Sequence, residues 1–272
     1  ELWKWTDENN RQFDIHAPAV FDQKYLAARR GWEGGSFEWL EHAGILGPNV
    51  IAAHAQNLRP GEEKLIADAG ASIALVPDME QVLGLVNFNA RPFLDSNITC
   101  GLGLDGAVVA YGHNMWTAMR GYLTAQRMGD QHRLMMSETD IKWTGEEVIY
   151  GSAEQALELA TIDGAKAFMM DDKIGSIETG KEADLVLIDR TEESHHTPMG
   201  SLIASLVYGN GPKQNAIETV MVHGEVIVKR GQHQTLDHRK IVERTDQVQE
   251  ILLDETNARQ YLRKRRRFNW ID

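Results

Sequence analysis

The 272-residue chain has a single cysteine, Cys100, so it can form no internal disulfide and build no zinc site from thiolates. Prolines are few, seven in all, and there is no low-complexity linker or internal repeat. No stretch approaches the roughly 18 to 20 unbroken apolar residues of a membrane helix, which excludes a helical membrane protein. Basic charge is in deficit. Twenty-eight Lys and Arg face 40 Asp and Glu, for a net charge of −12, so nucleic acid is not the expected partner. The opening Glu1-Leu2-Trp3-Lys4-Trp5 has no basic n-region, no apolar h-region and no initiating Met, unlike a signal peptide. The rest, 42% hydrophobic and 25% charged, suits a globular chain with a substantial core. The expectation is a soluble, cytoplasmic, globular protein of one large or two modest domains, with no membrane partner.

Along the chain, residues 2–12 read as the end of an amphipathic helix and Phe13-Asp14-Ile15-His16 as a short strand. Residues 20–43 read as helix broken by Gly34-Gly35, and Gly47-Pro48-Asn49 as a turn before the buried strand Val50 to His54. A helix over 60–69 carries Pro60 at its start and Gly70 past its end. Ser72 to Val76 and Ile98 to Gly103 are the next strands. Helices are expected from Met115 to Arg127 and over 153–170. Four strand–helix alternations with continuous apolar strands predict a parallel β/α architecture.

After residue 170 the texture changes. Lys173 to Ile177 and Ala183 to Asp189 read as short strands, and Ala216 to Val228 as a hairpin turning at His223-Gly224. A polar helix over 238–267 ends in the basic run Arg263-Lys264-Arg265-Arg266-Arg267, read as a solvated helix end. The expected divisions are 1–170, a parallel β/α unit; 171–235, a small β module; and 236–272, a C-terminal helix.

Three polar residues fall at or just past strand ends: His16, His54, and Asp105 in Gly101-Leu102-Gly103-Leu104-Asp105-Gly106. In parallel β/α barrels that rim carries the active site. Two imidazoles and a carboxylate suit zinc or iron, and a carboxylate beside an activated water can serve as base. The plainer alternative is a rim histidine satisfied by its neighbours and an aspartate in a tight turn. Trp32 and Trp39 read as helix packing, and Cys100 as inert core.

These segments resemble the amidohydrolase superfamily, in the branch of guanine deaminase, S-adenosylhomocysteine deaminase and triazine hydrolases. The resemblance rests on order: Asp14-Ile15-His16, then Gly47 to His54, then Gly101 to Gly106, then the Met115 to Arg120 helix. Downstream, Ala160 to Ala167 followed by Ile174 to Val186 resembles the family's closing signature, and Val220 to Gly231 its terminal hairpin. The resemblance covers nearly the whole chain. It implies a (β/α)8 TIM-barrel type α/β fold with a small β-sandwich, of which only the second half, about strands 5–8, is present. It implies one zinc (or iron) ion, with His16 as the strand-five ligand and His54 as the strand-six histidine on metal, water or substrate. Asp105 is then the strand-eight aspartate that touches the metal and takes the water's proton. Such a cation lowers the pKa of water to about 7. The implied reaction is hydrolysis or deamination at a C–N bond of a small nitrogen-rich cyclic substrate.

Three departures from the family pattern stand out. No His-x-His pair occurs; His195-His196 is adjacent. The family's His-x-x-Glu reads His16-Ala17-Pro18-Ala19, and Ala19 moves no proton. The family's strand-seven Ser-Asn pair is replaced in Val76-Pro77-Asp78-Met79-Glu80-Gln81, which makes Asp78 and Glu80 candidate substrate contacts against the reading of a solvated acidic loop. His113 is a further candidate pocket residue. Four parallel strands leave two edges open. The expectation is therefore a missing N-terminal half, a homo-oligomer that pairs two half barrels, or an open sheet patched by the terminal helix. The alternative functions are an inactive fragment that keeps the fold and dimerises, and a small-molecule binding protein.

Overall fold

Short apolar runs carry the first sheet. In the computed structural model, which describes residues 2–9, 11–17, 22–84, 88–107, 112–136, 150–192 and 201–261, helix α1 (Leu2–Glu8) precedes β1 (Phe13–Ala17). The sheet continues through β2 (Val50–His54), β3 (Ser72–Leu75) and β4 (Cys100–Leu102), in spatial order β1-β2-β3-β4. All three pairings are parallel, with Phe13 opposite Val50, Ile51 opposite Ser72 and Ile73 opposite Cys100. Parallel neighbours need a crossover, and helices supply it. These are α2 (Asp22–Arg30) and α3 (Ser36–His42), then α4 (Glu62–Ala69), then α5 (Pro77–Val82) and α6 (Arg91–Asp95).

The core lies between this sheet and its helices. Val50, Ala52, Ile73, Leu75 and Cys100 pack with Phe37, Ile66 and Phe93 from the crossovers. Behind them come α7 (Met115–Met136), α8 (Ala153–Ala160), α9 (Ile162–Ala167) and α10 (Leu202–Tyr208), which contribute Tyr122, Leu123, Leu159 and Val207. The Glu62 carboxylate joins two crossovers: it accepts from Phe37 N at 2.7 Å, Glu38 N at 3.3 Å and Arg59 N at 2.7 Å. Three otherwise unmet N–H groups near the starts of α3 and α4 are satisfied by one buried anion. Trp32 meets Trp39 edge-on at 5.3 Å and stacks on His42 at 5.1 Å, a helix-packing cluster as the sequence suggests.

The second sheet is antiparallel: β5 (Leu185–Ile188), β6 (Ile217–Val222), β7 (Glu225–Lys229) and β8 (Gln232–His233), in that order. The β6–β7 turn sits at His223-Gly224 as expected, with φ of 51° and 77°, the left-handed pair of a tight hairpin. Helix α11 (His238–Glu255) follows, capped by Asp237, which accepts from Lys240 N at 3.2 Å, and buries none of its residues.

Several boundaries differ from the sequence reading. The 153–170 helix is two helices, because Thr161 (φ −128°, ψ −96°) turns the chain so that Gly164 can reach β4. A Cβ on Gly101 would lie 3.0 Å from the Gly164 Cα, so that approach needs glycine. Lys173 to Ile177 is a set of turns and no strand. Gly175 there has φ +92°, and a Cβ on it would stand 2.7 Å from that of Ala165. The 60–69 helix begins at Glu62, after left-handed Gly61. The Met115 helix runs on to Met136, and the terminal helix stops at Glu255 before a 3-10 turn at Ala258–Tyr261. Ala19, His195-His196 and the Arg263 to Arg267 run lie outside the described residues. Among the described residues no helix is long and apolar enough to cross a membrane, and no barrel is closed.

Candidate metal centre and active site

Because β1, β2 and β4 run parallel, their C-terminal ends share one rim of the sheet. His16 is the fourth residue of β1 and pairs with Ala53, while His54 closes β2 opposite Ala17. Asp105 follows β4 by three residues. Their ligand atoms lie within 4.8 Å of one another. The His16 and His54 rings are 5.0 Å apart between centroids, and His54 Nε2 is 3.9 Å from Asp105 Oδ2. His54 is buried, Asp105 is half-buried and His16 is exposed on the edge strand.

The backbone is bent to achieve this. His54 (φ 76°), Ala55 (φ 48°), Asn57 (φ 57°) and Asp105 (φ 57°) are all left-handed without being glycine. Such residues cluster where tertiary structure holds side chains against local preference, at a cost of order 1–3 kcal/mol each. Asp105 Oδ1 accepts from the Gly106 N–H at 2.5 Å, which leaves Oδ2 turned to His54. The donors fit a metal in kind and number: two imidazoles and a carboxylate make three protein ligands, the set that leaves a catalytic zinc one open position.

The remaining candidates fall in different places. Glu80 belongs to α5 and not to a solvated loop. It is buried, and its Oε1 stands 3.5 Å from His54 Nδ1. Asp78 is partly buried at the start of the same helix, where its backbone packs near Gly121, and it does not line the cavity beside His54. His113 is exposed, and its Nε2 lies 3.0 Å from the Asp105 carbonyl oxygen, so it bears on the Asp105 backbone. Cys100 is buried, and burial together with nearby Asp163 pushes its thiol pKa up, consistent with inert core.

A cavity of about 450 Å³ opens beside His54 and Glu80, lined also by Gln56, Leu75, Asn89 and Phe93. Sequence reasoning missed Gln56. Its only signal is its place two residues past a strand end on the functional rim.

A parallel α/β sheet that gathers imidazole and carboxylate at its C-terminal rim places them where β/α barrels carry their active sites. The Amidohydrolase family pattern matches residues 2–227, and the chain belongs to that family. It is 28% identical over 246 residues to a 5-methylthioadenosine/S-adenosylhomocysteine deaminase of Pyrococcus horikoshii, covering 89% of this chain and 53% of that protein. Its fold matches a zinc-bound adenosine deaminase of Xanthomonas campestris with TM-score 0.78 at 21% identity, over 92% of this chain and 52% of that one. It also matches a zinc-complexed atrazine chlorohydrolase of Arthrobacter aurescens with TM-score 0.76 at 23% identity, over 90% and 50%. The chain thus spans about half the length of the relatives it matches.

Proposed function

We propose that this chain is the C-terminal, metal-carrying part of a hydrolase or deaminase that uses water to cleave a C–N bond of a small nitrogen-rich ring compound. The observation that carries the reading is the convergence of His16, His54 and Asp105 within 4.8 Å on one rim of a parallel sheet. These three residues would hold one zinc (or iron) ion, and the chemistry that ion supplies when bound is a water of lowered pKa.

The chain's own residues do the rest. Asp105 Oδ2 accepts the proton as the water oxygen bonds to the ring carbon. It then returns the proton to the amine as the C–N bond breaks. His54, held on its far side by Glu80, presents Nε2 towards Asp105 Oδ2 and would hold the ion through that atom. The β1 and β4 edges, the absent His-x-His pair and the half-length match support a whole protein in which four further β/α units close the barrel, from an N-terminal half or a second copy. In that reading, residues 1–170 are barrel, 171–235 belong to a small β-sandwich module, and the terminal helix is α11, His238–Glu255.

The absent His-x-His pair also favours a second reading, a chain that keeps the fold without turnover. Zinc titration of the metal-free protein separates the two. The expected result is one equivalent bound and a melting temperature that rises with zinc, by about 2.7 kcal/mol of stability at a hundredfold excess over Kd. Asp105→Asn should abolish hydrolysis of aminated purine or triazine rings. Wild-type turnover in that variant, or no zinc uptake, would defeat the proposal.

A further inference from the structure

Three carboxylates are buried among the described residues: Glu62, Glu80 and Asp130. Two are fully engaged. Glu62 accepts from three backbone N–H groups, and Asp130 takes Arg91 Nη2 at 3.1 Å on one oxygen and Gln126 Nε2 at 3.1 Å on the other. Glu80 is as deeply buried, at 1% exposure, yet its Oε2 has no hydrogen-bond partner among the described residues, and its Oε1 has only His54 Nδ1 at 3.5 Å. A buried carboxylate with an unmet oxygen is costly, and Glu62 and Asp130 show how this chain satisfies one whose duty is structural.

A second unmet group lies on the same cavity. Gln56 is 9% exposed, and its Nε2 donor also lacks a partner among the described residues. Both side chains line the cavity of about 450 Å³, whose walls include Leu75, Phe88 and Phe93. An acceptor and a donor, both buried and unsatisfied beside aromatic walls, define a ligand by complement.

We infer that Glu80 and Gln56 are the recognition pair of this cavity, reading a planar nitrogen heterocycle that offers an exocyclic amino donor to Glu80 and a ring-nitrogen acceptor to Gln56. The inference rests on the reading of the site as that of a ring hydrolase, and it names what selects the ring. A site built to hydrogen-bond a group rejects the analogue lacking it, because its own polar atoms then stay unpaired.

The test uses the purified chain in chelator, with 2-aminopurine binding followed by its fluorescence and purine binding by competition. The wild type should prefer 2-aminopurine about tenfold or more, the scale of a hydrogen bond to a charged group. Glu80→Gln should reduce that preference to about twofold, and Gln56→Leu should weaken both ligands. An unchanged preference in Glu80→Gln, or no binding to the wild type, would each overturn the inference. Because the chelator removes any cation, failure here leaves the zinc reading standing, and failure to take up zinc leaves the ligand preference readable.

Discussion

Two sheets in this chain are made of the same kinds of residue and meet opposite fates. In the parallel sheet Ile73 is wholly buried, because helices cover the strand from its crossovers. In the antiparallel sheet Val186 is 56% exposed, and on α11 Leu252 is 52% exposed, though both are as apolar. Helix α11 even spaces Ile241, Val248 and Leu252 along one side, at i, i+7 and i+11, without a buried residue. The difference teaches that an apolar side chain is a core residue only when a second layer lies opposite it. Among the described residues the parallel unit has a second layer and the antiparallel unit has none.

The sharpest way to break this contrast is a matched pair of truncations. Leu159→Ala, in the first core, should cost about 2–5 kcal/mol in urea unfolding, whereas Val186→Ala should stay within about 0.5 kcal/mol. Equal costs would mean that the second sheet is covered in solution. A smaller effect is expected from charging α11. Ile241→Glu with Leu252→Glu should leave folding stability within about 0.5 kcal/mol. It should also remove any dependence of the melting temperature on protein concentration. A large loss at high dilution would show that the helix is packed within the chain.

The smallest effect is alkaline. Burial, and then the Asp95 carboxylate that accepts its hydroxyl at 3.2 Å, push the Tyr150 pKa from 10.0 up to about 12. The folded state therefore holds this proton more tightly than the unfolded state. Its contribution is complete below pH 10 and is lost as pH rises towards 12. Tyr150→Phe should remove one late step from the tyrosinate absorbance titration and flatten stability across that window. An unaltered titration would place Tyr150 in solvent, as open as the second sheet.

Much of the fold was legible because its signals are local. Four short apolar runs, each followed by helical periodicity, mark the strands β1 to β4, and His223-Gly224 marks the β6–β7 hairpin. His16, His54 and Asp105 could be picked out because each stands at a strand end, and parallel strands bring such ends to one rim. The break at Thr161 was not legible, since it answers a close approach between Gly164 and Gly101 some sixty residues apart in sequence. Lys173 to Ile177 looked like a strand because its composition is β-prone, while the packing of Gly175 on Ala165 makes it turns. Asp78 and Glu80 looked alike in an acidic loop, yet only Glu80 turns into the cavity, because α5 forms there and presents the two carboxylates differently.

The sequence by itself determined which residue types end which strands, and so the order of imidazole, imidazole and carboxylate along the chain. Spacing and periodicity are properties of neighbouring residues and survive in one dimension. Only the tertiary structure decided that His54 and Asp105 adopt left-handed backbone to face each other. It alone decided that Glu62 is satisfied while Glu80 is not, and that one apolar sheet is covered while the other is open. Those outcomes depend on what packs across from each group, and that partner comes from a distant stretch of chain.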